Sequence, residues 1–461
     1  MNPKPINFSL SIVNANPSQT SVSQKIALSF VGVGLLIVLI SLVANNMLYD
    51  KGLFFVAALI SIGFGSIWYT YQLYKDQPKG IKNNGIFFKD ISSRGVVAWL
   101  LGIILTGFYV CLYWFPQYLQ GLITLFNPLS KILRGGKVAD QWFVYGSFYT
   151  ISVVLMGIKM MFKYKHSRYQ LIRTASVMFF QLGFAFLIPA FLISMQQPEL
   201  YFSYFFPLAY YQGTPQAFES YQSIAHTTNL GLWYFGFGLA MFFIGTPILT
   251  YFFGKRWYCS WVCGCGGLAE TAGDPFRHLS DKSLKAWQIE RYMVHGVLVM
   301  VLTMTTLLWV NVMTNRSILN DFSEIFYKFY AFWIGSTFSG VVGVGFYPIL
   351  GSRVWCRFGC PMAAWLGLCQ KYFSRFRITV NGGQCISCGN CSTHCEMGID
   401  VKAYAQRGQN IVRASCVGCG ICSAVCPRGV LKLENTGDDL KQRTDKLKAF
   451  YFDNKDIKVN L

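Results

Sequence analysis

Eight long apolar stretches constrain the fold of this chain more than any other feature of its sequence. Each stretch is long enough to cross the roughly 30 Å hydrocarbon layer of a bilayer as an α-helix. Hydrophobic residues make up 53% of the chain and charged residues only 13%, which is not the balance of a soluble globular protein. We therefore predict an all-α polytopic membrane domain. Its spans are expected at 26–46, 52–73, 95–115, 142–162, 172–196, 229–253, 291–312 and 327–350.

Lys and Arg alternate between the connecting segments, and this alternation predicts the orientation of the spans. Segments 74–94, 163–173 and 254–291 are rich in Lys and Arg, whereas segment 197–228 contains neither. Basic residues close to span ends are retained on the cytoplasmic side. We expect the basic segments, both termini and residues 351–461 inside, and 197–228 outside. The net charge of +20 is then a consequence of topology, and we expect no nucleic-acid partner.

Eight cysteines near the C-terminus form two copies of one run. Each copy reads C-x-x-C-x-x-C-x-x-x-C, at 385–395 and at 416–426, and Pro427 follows the second copy. This is the spacing of bacterial two-cluster ferredoxins, in which the fourth cysteine of each run ligates the other cluster. A pair of zinc ribbons is the alternative, but zinc leaves the doubled run and its proline unexplained. The spacing predicts two 4Fe-4S clusters, held by Cys385, Cys388, Cys391 and Cys426 and by Cys416, Cys419, Cys422 and Cys395.

The first run departs from the second at one position. Glu396 stands where the second run has Pro427. Because the four thiolates are intact, we expect Glu396 to alter the local turn and the cluster potential, and not the occupancy. His394 is expected to be a polar neighbour of the cluster or a surface residue, since each ligand set is complete without it.

A ten-residue pattern repeats where the sixth and eighth predicted spans end. Both copies read G-x-R-x-aromatic-C-x-aromatic-x-C, at 254–263 and at 351–360. The two spans run in the same direction, so we expect the paired cysteines to meet at the cytoplasmic membrane edge. Four adjacent thiolates require a cation or disulfide chemistry. We predict a metal or a further iron-sulfur centre, with reversible disulfides or merely buried cysteines as alternatives, at Cys259, Cys263, Cys356 and Cys360.

The second copy of this pattern is followed by a proline. Pro361 is a favourable first helical residue, so Cys360 is expected at the N-terminus of a helix. There the helix dipole and Arg353 are expected to lower the pKa of Cys360 and favour the thiolate. Cys265 follows the first copy without a counterpart in the second, and its role stays open.

Two further features bear on a small-molecule ligand. Segment 197–228 contains a dense run of Tyr and Phe residues, which indicates an aromatic belt helix in the membrane interface, a quinol pocket, or a docking surface for a periplasmic partner. His295, early in the seventh predicted span, is able to hydrogen-bond a quinone head group, although an interfacial histidine is the plainer interpretation.

These patterns divide the chain into five parts. We predict a disordered cytoplasmic N-terminus (1–25), a four-helix membrane extension (26–170) and a core membrane domain with both C-x-x-x-C motifs (171–370). A cytoplasmic α+β ferredoxin domain with two clusters follows (371–436), and then a charged tail (437–461).

The paired C-x-x-x-C motifs at span ends and the double ferredoxin run resemble the membrane-bound polyferredoxins. This family includes NapH of nitrate respiration, the C-terminal half of NosR of nitrous-oxide respiration, and the CcoG oxidase-maturation proteins. The resemblance covers about residues 170–430. It implies an electron carrier in a bacterial inner membrane that links the quinone pool to periplasmic reductases or to metal-centre maturation.

We predict a membrane-bound iron-sulfur electron-transfer protein, a redox subunit that links the quinone pool or a cytoplasmic donor to a respiratory or maturation partner. It would act as an electron-transfer subunit of an oxidoreductase system, with membrane lipid, other redox subunits and quinone as its partners. Two alternatives remain. One is a copper-reducing assembly factor whose membrane-edge cysteines bind copper, and the other is an iron-sulfur redox sensor.

Overall fold

The computed structural model of the chain is mostly helical. It describes residues 20–44, 49–75, 95–225, 228–316, 319–381, 384–435, 450–453 and 456–459. The expected disorder of the first 19 residues lies outside the described residues.

Seven helices of the described residues are long and apolar enough to cross a membrane. The first six are α1 (Val22–Val43), α2 (Lys51–Tyr74), α3 (Val96–Trp114), α4 (Gln141–Lys163), α5 (Arg168–Ser194) and α6 (Leu230–Phe253). The short helix α7 (Gly264–Thr271) precedes α8 (Leu284–Met313), which is the seventh. Short helical segments in the connections are Pro116–Leu119, Gln120–Leu125, Asn127–Leu133, Pro215–Ser223, Trp257–Trp261 and Asp274–Leu279.

The eighth predicted span is helical, although it is not one of those seven. It begins as α9 (Phe322–Tyr330), continues as a π-helix over Ala331–Val342 and ends in the short helices Gly343–Gly345 and Tyr347–Leu350. Its interspersed Gly, Ser and Thr residues make it less apolar than the other spans. At its start Asn311 of α8 donates to Ser323 (2.9 Å), and just beyond its end Arg357 donates to the carbonyl of Asp281 before α8 (2.6 Å). The segment therefore returns along the length of α8.

Helix α1 begins earlier than the apolar pattern predicts. It starts at Val22, inside the segment expected to be disordered, and not at residue 26. Ser21 and Gln24 form a capping box, in which each side chain accepts a hydrogen bond from the other residue's backbone N–H. This reciprocal cap satisfies N–H groups that would otherwise lack partners, so the helix extends one turn beyond its apolar part.

The ferredoxin part is built on one small sheet. Helix α10 (Pro361–Phe373), which begins at the predicted proline, leads into β1 (Phe376–Val380). β1 pairs antiparallel with β2 (Leu431–Asn435) and thereby encloses both cysteine runs. Short helices between the strands are Asn390–Thr393, Val401–Gln406 and Ile421–Ala424. In the tail, β3 (Phe450–Asp453) and β4 (Asp456–Val459) form an antiparallel pair.

The ferredoxin part rests on one end of the helical domain. Tyr169 donates to the carbonyl of Gly418 (2.9 Å), and Lys255 donates to the carbonyl of Ile411 (2.9 Å). Ser280 donates to a third backbone carbonyl, at 2.7 Å. The basic segments 163–173 and 254–291 thus meet the ferredoxin part at the same end, as their alternation along the chain requires.

Candidate iron-sulfur and thiol centres

The eight cysteines of the ferredoxin part line two cavities of nearly equal size. Each has a volume of about 20 Å³. Each cavity takes three cysteines from one run and the fourth cysteine from the other, which is the crossed grouping that the spacing predicts. The first cavity is lined by Cys385, Cys388, Cys391 and Cys426, and the second by Cys416, Cys419, Cys422 and Cys395.

The chemistry of both cysteine sets fits a 4Fe-4S cluster. Burial, together with charge on Cys388, Cys426 and Cys385, raises the pKa of Cys391 to about 12. Four thiolates so close together cannot all ionise unless a positive centre binds them. Among the described residues, no three His, Cys, Asp or Glu side chains converge as ligands of a single metal ion. The cysteines surround a space instead of a point, which suits a multi-iron cluster better than zinc.

His394 is buried beside the second cavity. It is fully inaccessible, and its Nδ1 lies 2.9 Å from the carbonyl oxygen of Asn390. Burial, together with the nearby Lys163, lowers the pKa of His394 to about 4. His394 is therefore a neutral, polar neighbour of the cluster, and not a surface residue.

The two C-x-x-x-C motifs lie side by side. Their cysteines, Cys259, Cys263, Cys356 and Cys360, belong to one buried cluster, and none is more than 4% exposed. Burial raises the pKa of Cys360 well above its usual value, and charge on the other three thiols raises it further because they are close neighbours. The structure thus brings together the four cysteines that the repeat singles out.

Two glycines of the repeat end the helices that lead into this cluster. Gly254 has φ +72° and Gly351 has φ +94°, a region that favours glycine. A Cβ at Gly254 would lie 1.8 Å from the Cβ of Phe376, and one at Gly351 would lie 2.5 Å from the Oγ of Ser280. Backbone conformation and close packing therefore both explain the repeated glycine.

Two arginines of the repeat hold the two copies together. Arg256 Nη1 donates to the carbonyl of Cys356 (3.1 Å), and Arg353 Nη1 donates to the carbonyl of Cys259 (3.3 Å). Each arginine therefore contacts the first cysteine of the other copy. This exchange makes the repeat a pseudo-symmetric pair.

The expected ionisation of Cys360 is wrong. Cys360 does precede α10, and the N–H of Ala363 lowers its pKa, but burial outweighs this contribution and the pKa is raised. Arg353 lies against a different cysteine, with its Nη1 3.7 Å from the Sγ of Cys356. The effect of burial on the pKa of Cys360 was underestimated, because the sequence does not show how deeply this cysteine is buried in the folded protein.

Cys265 joins the thiol cluster, although the sequence left its role open. A hydrogen bond between the Cys265 and Cys263 side chains lowers the pKa of Cys263, against the effect of burial. The N–H groups of Gly266 and Cys265, at the start of α7, act in the same direction. Of these thiols, Cys263 is the one whose surroundings favour the thiolate. We name the five cysteines the thiol cluster: Cys259, Cys263, Cys265, Cys356 and Cys360.

A buried network of ion pairs lies against both the thiol cluster and the second ferredoxin cavity. Asp274 pairs with Lys163 (2.7 Å) and with Arg277 (3.1 Å), and Arg353 pairs with Glu396 (2.8 Å). No side chain in the network is more than 3% exposed. Its four cations and three anions are Lys163, Arg173, Arg277, Arg353, Glu270, Asp274 and Glu396.

Glu396 is held in its charged form by this network. Burial alone would raise the pKa of Glu396, but Arg353 and Arg277 outweigh burial and hold the pKa below its usual value. In the sequence, Glu396 stood out only because it replaces the proline found at the equivalent position of the second cysteine run. Its arginine partners are distant in sequence, so spacing gave no signal of the pairing.

A largely aromatic cavity reaches the thiol cluster from the membrane domain. It has a volume of about 510 Å³, is open at one side, and lies between α4, α5 and segment 199–211. A smaller cavity of about 160 Å³ shares Tyr204, Tyr211 and Cys265 with it. We name the larger space the tyrosine cavity, after Tyr145, Tyr149, Tyr201, Tyr204 and Tyr211 in its lining. His295 is not among the residues that line either space.

Three buried polar atoms of lining residues have no hydrogen-bond partner among the described residues. They are the Oε1 of Gln181, the hydroxyl of Tyr149 and the Nε of Arg134. A Cβ at Gly264 would lie 2.4 Å from that Oε1 and 2.3 Å from the hydroxyl of Tyr204. The polar side of the cavity therefore touches the residue between Cys263 and Cys265. Gln181 lies in the π-helical stretch of α5, Phe180–Leu187, a backbone feature common at functional sites.

Segment 199–211 does not form the aromatic belt helix that the sequence left open. It contains no helix, and Phe205 and Phe206 are only 2% and 5% exposed. The segment folds inward between the long helices. Of its tyrosines in the cavity lining, Tyr201 and Tyr204 are half-buried and Tyr211 is exposed.

Two family models match separate parts of the chain. A 4Fe-4S dicluster domain matches residues 384–431, and a 4Fe-4S binding domain matches residues 235–283, which include the first C-x-x-x-C motif. The Escherichia coli (strain K12) protein "Putative electron transport protein YccM" is 27% identical over 159 residues. The match covers 33% of this chain and 44% of YccM, so the chain spans less than half of that curated relative. No solved structure matches the chain.

The matches and the fold agree on the coarse nature of the protein. It is a multi-pass iron-sulfur protein with membrane-like helices, and its C-terminal part carries two 4Fe-4S clusters. The matches support an iron-sulfur family with electron-transport members, and they do not single out the NapH, NosR or CcoG proteins.

Proposed function

We propose that this chain transfers electrons one at a time between the tyrosine cavity and a redox partner at the ferredoxin end. The route passes through the thiol cluster, then the second cluster (Cys416, Cys419, Cys422 and Cys395), then the first (Cys385, Cys388, Cys391 and Cys426). One observation carries the proposal. The thiol cluster and seven of the eight ferredoxin cysteines, all except Cys388, belong to a single continuous core, with the tyrosine cavity on one side of it.

The contacts of the ferredoxin part support this order. Ser260, next to Cys259, donates to the carbonyl of Val417 (3.0 Å), and Gln170 donates to the carbonyl of Cys419 (2.6 Å). The second cluster is therefore held against the membrane domain. The first cavity is lined by the exposed Arg428 and by a half-buried Cys388, so the first cluster is the one that a partner can approach.

The tyrosine cavity suits a quinol. Its aromatic walls fit a planar ring, and the Oε1 of Gln181 and the hydroxyl of Tyr149 are available to the two oxygens of such a head group. Oxidation of a quinol to a quinone releases two electrons and two protons. Each 4Fe-4S cluster accepts one electron, so the two clusters together take up one quinol's electrons. The thiol cluster lies between donor and acceptors.

Iron is the metal that the family match favours for the thiol cluster. The 4Fe-4S binding domain matches residues 235–283, and hence Cys259, Cys263 and Cys265. Cys356 and Cys360 complete the set from the other copy of the repeat. A centre bound there would supply a further one-electron step between the cavity and the ferredoxin part.

We place the ferredoxin part and both termini on the cytoplasmic side of a bacterial inner membrane. The Lys- and Arg-rich segments that meet the ferredoxin part support this side. An impermeant maleimide added to intact cells tests it, with a single reporter cysteine at 440 and another at 220. Labelling at 220 alone is expected, and labelling at 440 from outside would reverse the orientation.

Quinol-driven cluster reduction tests the proposed function. Anaerobically purified protein in lipid nanodiscs is mixed with menaquinol, and the loss of cluster absorbance is followed. Reduction of both clusters is expected. Tyr149→Phe removes one cavity hydroxyl and should slow the reaction, whereas Tyr292→Phe changes a tyrosine that is 80% exposed and should not. Clusters that dithionite reduces but menaquinol does not would refute the quinol donor.

A copper-reducing assembly factor is the second candidate. The convergence of Cys259, Cys263, Cys356 and Cys360 favours it, because soft thiolate ligands select Cu(I). Metal analysis separates the two candidates. Copper that is lost in Cys263→Ser, with cluster iron unchanged, would support the assembly factor over a third iron-sulfur centre.

A further inference from the structure

Glu396 occupies a position between two redox centres. It follows Cys395 directly, lines the second ferredoxin cavity and is completely inaccessible to solvent. The equivalent residue of the second cysteine run is Pro427, which is exposed. Only the cavity nearer the membrane domain therefore has a carboxylate in its wall at this position.

Glu396 reaches the thiol cluster through one arginine. Its Oε1 accepts from Arg353 Nη2 (2.8 Å), and Arg353 Nη1 lies 3.7 Å from the Sγ of Cys356. Two side chains thus connect the wall of the second cavity to a sulfur of the thiol cluster. Arg277 Nη1, at 3.6 Å from the Oε2 of Glu396, is the second cation that faces this carboxylate.

The charges around this connection are not balanced by protein groups alone. The buried network holds four cations and three anions, so it carries an excess of one positive charge although each cation has an anionic partner. The thiol cluster is an adjacent group that can supply a compensating negative charge. A change in charge at either redox centre therefore acts on Arg353.

We propose that Arg353 and Glu396 are positioning residues that form a charge bridge, which sets the potential of the second cluster and couples it to the thiol cluster. This inference rests on the proposed electron route. Reduction adds one electron, and so one negative charge, to the second cluster. The Glu396 carboxylate opposes that charge and Arg353 stabilises it. Removal of the Glu396 charge should therefore raise the potential of the second cluster, and removal of the Arg353 charge should lower it.

A redox titration of the purified full-length protein, followed by electron paramagnetic resonance, tests the bridge. Glu396→Gln should raise the midpoint potential of the second cluster, on the order of tenfold in its reduction equilibrium, or about 59 mV. Arg353→Gln should lower it. Glu396→Asp keeps the charge and should restore most of the parent value. The first cluster, assigned by its absence from Cys426→Ser, should keep its potential in all three variants.

Glu290→Gln is the matched control. Glu290 is also a buried carboxylate paired with an arginine, at 2.8 Å from Arg357, but it lines neither ferredoxin cavity. It should leave both potentials unchanged. Equal shifts at both clusters, or shifts of one sign in Glu396→Gln and Arg353→Gln, would overturn the bridge. If menaquinol fails to reduce the protein but the opposite shifts occur, the proposed donor is wrong and the bridge stands.

Discussion

The two cysteine regions differ most in how far solvent reaches them. In the ferredoxin part, Cys385 and Cys388 are half-buried, in loops around short helices. In the thiol cluster, the four repeated cysteines are at most 4% exposed and lie where helices begin or end, with Arg256 and Arg353 against them. A protein partner can approach the first region. The second is approached through the tyrosine cavity.

This difference in solvent exposure suits the cysteines of the two regions to different roles. Thiolates near the surface suit exchange of electrons with another protein, because close approach is what such transfer requires. Buried thiolates beside fixed cations are held at a defined charge, since water cannot screen them. The charged network belongs to the second kind of environment, and it is what connects the two regions.

The largest expected effect is the loss of one cluster from the ferredoxin part. Cys426→Ser removes a ligand of the first cavity, so about half of the ferredoxin-cluster iron should be lost, with the second cluster retained. Iron analysis together with electron paramagnetic resonance measures this. Cys369→Ser is the control, because Cys369 is buried in α10 but lines neither cavity. Loss of the second cluster alone would contradict crossed ligation.

The next prediction compares the loss of stability when a buried carboxylate and an exposed carboxylate lose their charge. Asp274→Asn leaves Lys163 buried without its anion and removes one of the two anionic partners of Arg277, which should cost about 3–5 kcal/mol of stability. The Arg316–Glu324 pair is 67% and 36% exposed, so Glu324→Gln should cost less than about 1 kcal/mol. Thermal loss of cluster absorbance compares them. Equal losses in the two variants would mean that the buried network contributes no more than a surface pair.

The smallest of the three concerns Cys265. As a hydrogen-bond partner of Cys263, it should orient the cluster without being essential to it. Cys265→Ser is expected to slow menaquinol-driven reduction by about 10- to 100-fold, the usual cost of losing an outer partner of a metal ligand. Stopped-flow absorbance measures the rate. An unchanged rate would remove Cys265 from the electron route.

The features that the sequence predicted correctly are those that depend on short or repeated sequence motifs. The crossed cysteine sets and the helix after Pro361 were predicted from short local motifs. The structure contains both cysteine sets and the helix. The approach of the two C-x-x-x-C motifs was predictable because the pattern is repeated. Cys265 lacks a repeated counterpart, so nothing in the sequence marked it.

The charged network could not be predicted from spacing. Its members come from several separate segments, and each pair forms only when the chain folds, as with Lys163 and Asp274. The pKa of Cys360 failed as an expectation for the same reason, because burial is a property of the whole fold. The tyrosine cavity likewise depends on an irregular segment that folds inward, which hydropathy cannot distinguish from a membrane-interface helix.

A double variant tests most directly whether electrons cross the thiol cluster. Cys263→Ser with Cys360→Ser removes one cysteine from each copy of the repeat and leaves all eight ferredoxin cysteines. Rapid mixing of the anaerobic protein with menaquinol should give no cluster reduction, while dithionite still reduces both ferredoxin clusters. Reduction by menaquinol at the parent rate, with no metal missing relative to the parent, would show that the thiol cluster is not on the route.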